Sequence, residues 1–475
     1  MIISTKDMYM KKIMPFVLGG SLMIGAAGCK KYLEIVPKGE KIPQTLADYK
    51  PLMESKAAHT FDYTNQAVVA NEFYTPLQQQ VAINLTTINF NWQEDKSRAE
   101  LVVDDAAYNG AYSGIFIYNT LVNNVPNATT GSTAEKAQLV AQARIGRSML
   151  YFYLITSYAK MYDAATAATD PGVPFNISGD TEDQPKQLSV QQIYDFILKD
   201  VNAALPDLPK VAENGYYASK GAGYAFLSRV HLFMQHYSEA AAFADQALAE
   251  NSALFDYIGY YNENKAIFDK PVTSVTVPKF EFTSPENYIF HYGSSIVQNQ
   301  GFYASSVRYA DSAQFDNGDV RRLVNLAPRS TGANGETLWA YRRTDNVNAG
   351  GIRTPEMYYV KAECLARGGK VAEAMTALNT VRRKRILPTV YSDVTAATAD
   401  EAIRLIRRDL LCEYRGTGLP YLTYRRFNND PQYKATITKM EGTNTYSIKP
   451  ESLMWIMPFS VKALAYNKSL QQNSK

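Results

Sequence analysis

Two stretches far apart in the chain share one layout, and that layout constrains the fold more than anything else in the sequence. In the first, an apolar-periodic run Ser219–Met234 is followed by Gln235-His236 and then by a second periodic run, Tyr237–Asn251. In the other, Arg353–Arg367 is followed by Gly368-Gly369 and then by Val371–Arg385. Aligning the breaks matches Tyr237, Ala240, Phe243, Ala244 and Ala247 with Val371, Ala374, Ala377, Leu378 and Val381. Apolar residues at three- and four-residue steps predict helices. Small residues on the matched face predict that the two helices of each copy lie close together and antiparallel.

This is the layout of a tetratricopeptide-type hairpin. Further helices are announced by their starts. Ser132-x-x-Glu135, Ser189-x-x-Gln192 and Thr398-x-x-Glu401 are capping boxes, in which two side chains satisfy amides that a helix start leaves unpaired. The runs behind them extend through Ala159, to Leu205-Pro206 and through Glu413. Residues 104–125 also read as helix, and Gly110 and Gly114, four apart, predict a close helix contact. The helices of 133–162 and 189–205 make a further, looser pair. Between these lie two long stretches without helical period, 56–103 and 252–352, rich in Asn, Gly, Thr and aromatics. Within them Ala82–Ile88 and Ser274–Val277 read as short extended pieces. The expected fold class is mainly α: a tetratricopeptide-like helical hairpin scaffold with long irregular, partly β insertions. Such insertions, when aromatic-rich, are ordered and carry function.

The N-terminus reads as an export signal. Lys6, Lys11 and Lys12 precede an uncharged run, Ile13–Ala27, too short to span a bilayer, and Ala26-Ala27-Gly28 stand directly before Cys29. Small residues before Cys resemble a bacterial lipobox, so residues 1–28 are expected to be a lipoprotein signal peptide and Cys29 the lipidation site. An ordinary secreted protein cut nearby is the alternative. The remaining cysteines, Cys364 and Cys412, fall in helix-patterned stretches and read as buried thiols, with a disulfide as the alternative. Lys and Arg number 49 against 46 Asp and Glu, which provides no basic stripe for nucleic acid.

Several stretches, in order along the chain, resemble the SusD/RagB family of outer-membrane lipoproteins. Leu33–Gly39 and Leu46-Ala47-Asp48-Tyr49 resemble its opening after the lipidated Cys, although Lys30 and Lys31 stand where surface-directed members often carry acidic residues. Arg144, Arg147 and Tyr151-Phe152-Tyr153 before Gly172-Val173-Pro174 resemble its long helix and following turn. Leu227–Leu232 and Tyr237, then Glu356, Tyr359, Ala362-Glu363 and Val381-Arg382, resemble its two repeats. Arg407-Arg408, Glu413, Arg415-Gly416, Arg425-Arg426-Phe427 and Trp455–Pro458 resemble its C-terminal half. The resemblance implies a single SusD-like domain over 29–475, with an N-terminal part to about 250 and a C-terminal part from about 251.

It also implies a non-catalytic, lipid-anchored protein of the outer membrane, facing the cell surface. Such a protein captures an oligosaccharide and passes it to a SusC-like TonB-dependent barrel transporter, with no cofactor. A peptide-binding member of the same family is one alternative, a glycoside hydrolase another, and a helical-repeat protein adaptor a third. Sugar rings stack on aromatic faces while their hydroxyls meet amides and charges, and the chain holds 34 Tyr, more than its 20 Phe and 3 Trp together. Loop aromatics are therefore the candidate ligand contacts: Trp92 and Trp339, then Tyr74, Tyr288 and Tyr292, with Asn71, Glu72 and Arg342 as polar partners. Trp455, inside the C-terminal signature, is expected to be structural.

Nothing in the sequence marks a catalytic site. His59, His231, His236 and His291 form no metal-ligand pattern, and His231 and His236 are five apart across a break. No Gly-x-Ser-x-Gly elbow occurs, and Gly221-Ala222-Gly223 lacks a preceding strand. Asp316-Asn317-Gly318-Asp319 lacks the rest of a twelve-residue calcium loop and is expected to be a turn.

Overall fold

The computed structural model describes residues 43–72, 83–178, 184–270, 278, 280–293, 306–308, 314–331, 337–342, 347–441 and 443–474. Cys29, Tyr74 and the Ser274–Val277 piece lie outside them. Gln44–Lys475 form one compact unit.

Nine helices carry the scaffold: α1 (Ala106–Asn124), α2 (Thr133–Tyr158), α3 (Val190–Ala204), α4 (Lys220–Phe233), α5 (Tyr237–Glu250), α6 (Thr354–Arg367), α7 (Val371–Arg382), α8 (Ala399–Glu413) and α9 (Leu419–Asn428). The chain is mainly helical, as its periodicity predicts. Neighbours pack in sequence: α1 on α2, α2 on α3, α4 on α5, α5 on α6, and α6 on both α7 and α8. The two predicted hairpins are thus α4–α5 and α6–α7, joined through α5 and α6. Ala240, Ala244 and Ala247 are fully buried on one, and Ala374, Leu378 and Val381 on the other. At equivalent turn positions Gln235 (φ 62°) and Gly369 (φ 77°) both adopt the left-handed conformation. Glycine meets that demand without steric cost; Gln235 instead uses its side chain, whose Nε2 donates to the Asn429 carbonyl at 3.3 Å.

The capping boxes at Ser132 and Ser189 form as predicted. At Thr398 only half forms: its hydroxyl accepts from Glu401 N, while the Glu401 carboxylate reaches back one residue further, to Ala397 N. The second half of α2, Met149–Tyr158, is buried all round, which makes this helix the spine of the core. Its Gly146 lies under the Tyr118 ring of α1, where a Cβ would collide, and Gly114 faces Leu150 in the same way. Gly110 has open space around its missing Cβ, so only one glycine of the predicted pair makes the close contact.

The insertions contain more helix than the sequence suggests. Leu85–Asn91 is a short helix where an extended piece is expected, because Asn84 caps it (Oδ1 accepts from Thr87 N at 2.9 Å) and Ile88, Asn89 and Phe90 are buried. Burial on a helical face overrides the β-branched Thr86-Thr87-Ile88 run. Short strands complete the insertions and their surroundings: β1 (Pro171–Phe175) pairs antiparallel with β2 (Lys186–Ser189). Ser306–Arg308 (β3), Leu326–Thr331 (β4) and Thr337–Tyr341 (β5) make a three-stranded antiparallel sheet with β5 in the middle. Ile437–Glu441 (β6) and Asn444–Ile448 (β7) form a hairpin. Cys364 and Cys412 are buried and unpaired, and burial pushes both thiols up to about 12.

Candidate ligand-binding site

The arginines of the sequence signature turn inward and clamp the scaffold. Arg147 of α2 grips Asp200 of α3 through two hydrogen bonds of 3.0 and 2.8 Å. Arg229 of α4 does the same to Glu356 of α6, at 2.7 and 2.6 Å, and so ties one hairpin to the other. It also donates to the Gly351 carbonyl at 2.7 Å, which fixes the return of the second insertion onto the scaffold. Arg426 of α9 holds Glu363 of α6. Fork-to-carboxylate pairs of this kind fix geometry as well as supplying energy.

A larger ionic group anchors the second insertion. Glu286, Asp319 and Arg321 from the insertion interlock with Arg385 just beyond α7 and with Asp409 and Glu413 of α8. All are buried. Burial pushes the Glu413 carboxyl up, but Arg385, Arg353 and Arg321 outweigh it and hold the group below the usual carboxylate range. Burial and Arg321 act in the same opposed senses on Asp409, with the same net result. The Asp316–Asp319 segment is a turn, with Gly318 at φ 72°; Asp316 pairs with Arg382 and Arg408, and Asp319 with Arg321.

On this frame the sequence-predicted contacts separate into two sets. Trp92 ends its short helix at φ 50°, is 4% exposed, and its Nε1 donates to the Val69 carbonyl at 2.9 Å. The Lys439 ammonium of β6 lies 4.3 Å from the Trp92 ring and 3.4 Å from that of Phe90, and donates to Asn71 Oδ1 at 3.2 Å and to the Phe90 carbonyl. Asn71 and Trp92 therefore do meet, around a buried cation. Glu72 is buried and accepts from Gly416 N at 3.1 Å. Tyr288 is 4% exposed and donates to the Asn251 carbonyl at 2.5 Å. Arg342 spends its guanidinium on the carbonyls of Leu326, Lys270 and Phe268. Trp92, Glu72 and Tyr288 offer no open face here: their burial brings the insertions to rest on the scaffold. Trp455 is likewise buried, with Nε1 donating to the Lys449 carbonyl.

The second set is half-exposed. Trp339 lies in the central strand β5, in register with Val307 and Pro328, with the Arg322 guanidinium 5.7 Å above its ring. Tyr292 shares a hydroxyl hydrogen bond with Tyr216, and the Lys56 ammonium stands 5.1 Å from its ring. Phe282 lies 4.9 Å from Tyr216, and Phe290 5.0 Å from Tyr292.

Behind this group a file of rings leads inward. His59 is 4.7 Å from Tyr216, His291 is 5.1 Å from His59, and Phe61 stacks on His291 at 4.6 Å. Burial pushes His59 down to about 4, against a weaker raising effect of its 2.6 Å contact with the Met53 carbonyl. Burial, with His59 and Arg229 nearby, takes His291 lower still, so both rings are neutral at pH 7. The file gives Tyr216, Tyr292 and Phe282 a rigid base. Rings presented on such a base suit stacking against a flat apolar ligand face at small entropic cost. Tyr292 is among the sequence-predicted contacts and Tyr216 is not; the Tyr216-Tyr217 doublet ahead of α4 is the signal that was available.

The scaffold is one of stacked helical hairpins, and the loops it carries present a face of half-exposed aromatic rings. Residues 31–232 match the family described as "Starch-binding associating with outer membrane". A SusD-like protein from Bacteroides ovatus is 24% identical over 234 residues, which are 46% of this chain and 38% of that relative's length. Solved structures agree on the fold. A SusD superfamily protein from Bacteroides vulgatus superposes with a TM-score of 0.70 at 16% identity, covering 90% of this chain and 99% of that one. One from Bacteroides thetaiotaomicron gives 0.69 at 18% identity, covering 91% and 100%. Surface glycan-binding protein A from Bacteroides uniformis gives 0.67 at 16% identity, covering 90% and 99%. Residues 31–232, less than half of the chain, thus resemble a SusD-like family, and most of the chain shares the fold of these solved structures.

Proposed function

We propose that this protein captures a neutral or weakly charged glycan at the outer membrane and hands it, unaltered, to a TonB-dependent barrel transporter, with Cys29 as its lipid anchor. The observation that carries the reading is the match of residues 31–232 to a family described by starch binding and outer-membrane association. The half-exposed rings of Tyr216, Tyr292 and Phe282 agree with it, as do those of Trp339. They are the half-exposed aromatics of the loop face, and the file behind Tyr216, Tyr292 and Phe282 keeps those three in place without any substrate present. Binding rather than hydrolysis also agrees with the state of the buried acids: Asp409 and Glu413, held ionised by arginines, are unsuited to donate a proton to a glycosidic oxygen. Among the described residues no helix is long and apolar enough to cross a membrane.

The test is a titration of the mature protein against polysaccharides and peptides while release of small products is followed. Saturable binding of a glycan without product is the expected result. Product release, or saturable binding of peptides alone, overturns the reading. Solubilised outer membranes are expected to yield the protein together with a barrel partner.

A further inference from the structure

A second concavity, which shares no lining residue with the loop face, lies between α1, the end of β1 and the C-terminal helix Val461–Tyr466 (α10). It encloses about 740 Å³, within the range of roughly 300–1,000 Å³ common for small-molecule sites. Tyr108, Tyr112 and Phe116 line it from α1, and Tyr466 from α10. Phe116 is 41% exposed and Tyr466 60%. Val103, Ile177 and Val461, each adjacent in sequence to a lining residue, are exposed as well. Two of the eleven large apolar side chains exposed among the described residues thus line the cleft, and three more flank its lining residues in sequence. Such clustering marks an interaction site rather than chance exposure.

The polar lining is made chiefly of carboxamides, and they are fixed in position. Asn119 donates to the carbonyls of Asn176 and Ser178, both at 3.0 Å, and accepts from Arg147 at 2.9 Å. Asn467 donates to the Pro185 carbonyl at 2.7 Å, and the Tyr112 hydroxyl to that of Pro174 at 2.6 Å. The charged lining residues, Asp104 and Lys462, neutralise each other at 2.7 Å, and Asp104 is further held by Asn109. A phosphorylated, sulfated or uronic ligand finds no uncompensated cation here. A pure hydrocarbon would strip water from the exposed Asn109 and offer it no partner in return. A ligand with apolar ring faces and neutral hydroxyls fits both halves of the lining.

We infer that this cleft is a second binding site, for a neutral oligosaccharide, independent of the loop face. The inference rests on the glycan-capture reading above and adds a place and a charge class to it. Two sites on one chain would hold a long glycan at two points, so that releasing one leaves the other engaged and the effective local concentration high.

The experiment titrates the full mature protein with maltoheptaose, cellohexaose and xylohexaose, and with an oligogalacturonate as the charged comparison, by calorimetry. Phe116→Ala with Tyr466→Ala disables the cleft. Tyr292→Ala with Trp339→Ala disables the loop face. Unchanged far-ultraviolet circular dichroism and melting temperature show that each variant is folded. Expected are two binding events for a neutral oligosaccharide in the natural chain. The cleft variant is expected to lose one, or at least tenfold in affinity, while the loop-face variant keeps it. A second, local readout is Tyr466→Trp, whose fluorescence is expected to shift at saturation with the neutral sugar and not with the charged one. Glycan binding that the cleft variant leaves untouched overturns the second site and spares the capture reading. Loss of a protein partner instead of a sugar also overturns it. Absence of binding by the natural chain to every probe overturns both.

Discussion

The helical scaffold and the insertions solve the same problem, fixing chain segments against one another, with different means. Within the scaffold, arginines on one helix clasp carboxylates on the next, as Arg147 clasps Asp200 and Arg229 clasps Glu356. At the insertions, cations meet carbonyls and rings as well as carboxylates: Arg342 donates to three carbonyls, and Lys439 of β6 sits over Phe90 and Trp92. Helices present facing positions that repeat, which suits a carboxylate clasp between neighbours. Irregular backbone leaves carbonyls without partners, and long cationic side chains go to them.

The contrast is sharpest at Arg229. Replacing it with Met strands the Glu356 carboxylate among buried groups, and about 3–5 kcal/mol of stability is expected to be lost in urea unfolding. Replacing both Arg229 and Glu356 with apolar residues is expected to recover much of that, because the larger penalty lies in the orphaned charge. If the single and double variants lose the same amount, the clasp is not what joins the hairpins.

Acid separates the ring file from the clasps. His59 has a folded-state pKa depressed to about 4 from an ordinary 6.5, so its contribution is complete above pH 6.5 and is lost as pH falls through 4. That shift corresponds to about 3 kcal/mol. Asp409 and Glu413, with lowered pKa values, remain ionised over most of this window, so the early loss belongs to the histidines. Urea unfolding at pH 7 and pH 4.5 is expected to show it, and His59→Gln is expected to flatten the dependence. An unchanged slope in that variant would remove His59 from the account.

Trp92→Phe keeps most of the packing and removes the Nε1 bond to Val69, for an expected loss of about 1–2 kcal/mol in stability with glycan affinity unchanged. Trp339→Ala is expected to do the reverse, leaving the melting temperature near the natural value and weakening glycan binding by about 1–3 kcal/mol. An exchange of those outcomes between the two tryptophans would invert the division between anchoring and accessible aromatics. The smallest effect is expected at the paired turns: Gly369→Ala places a Cβ at φ 77° and costs about 1 kcal/mol in melting experiments.

How much of this could be read from residue order follows the same division. The hairpins, the capping boxes at Ser132 and Ser189 and the structural role of Trp455 were legible because each rests on neighbours a few positions apart. The helix at Leu85–Asn91 was not, since Thr86-Thr87-Ile88 reads as strand and only burial against the scaffold decides otherwise; its one local sign was Asn84 as a cap. Trp92 was legible as important and illegible as buried, because what covers it is Lys439, from the far end of the chain. Tyr216 and Tyr292 meet only after the insertion has folded back. The four-carboxamide cleft draws on α1, β1 and α10, and no window of sequence contains it.

The ring file carries a consequence for how such a protein changes over generations. Tyr216 is seated, ring upon ring, on His59, His291 and Phe61, so a substitution there is felt by the core as well as by any ligand. Trp339, on the middle strand of its sheet, packs in part against the core and lies under the Arg322 guanidinium, outside the file. A change at Tyr216 is therefore expected to disturb the ring file and the loop face together, whereas a change at Trp339 leaves the file intact.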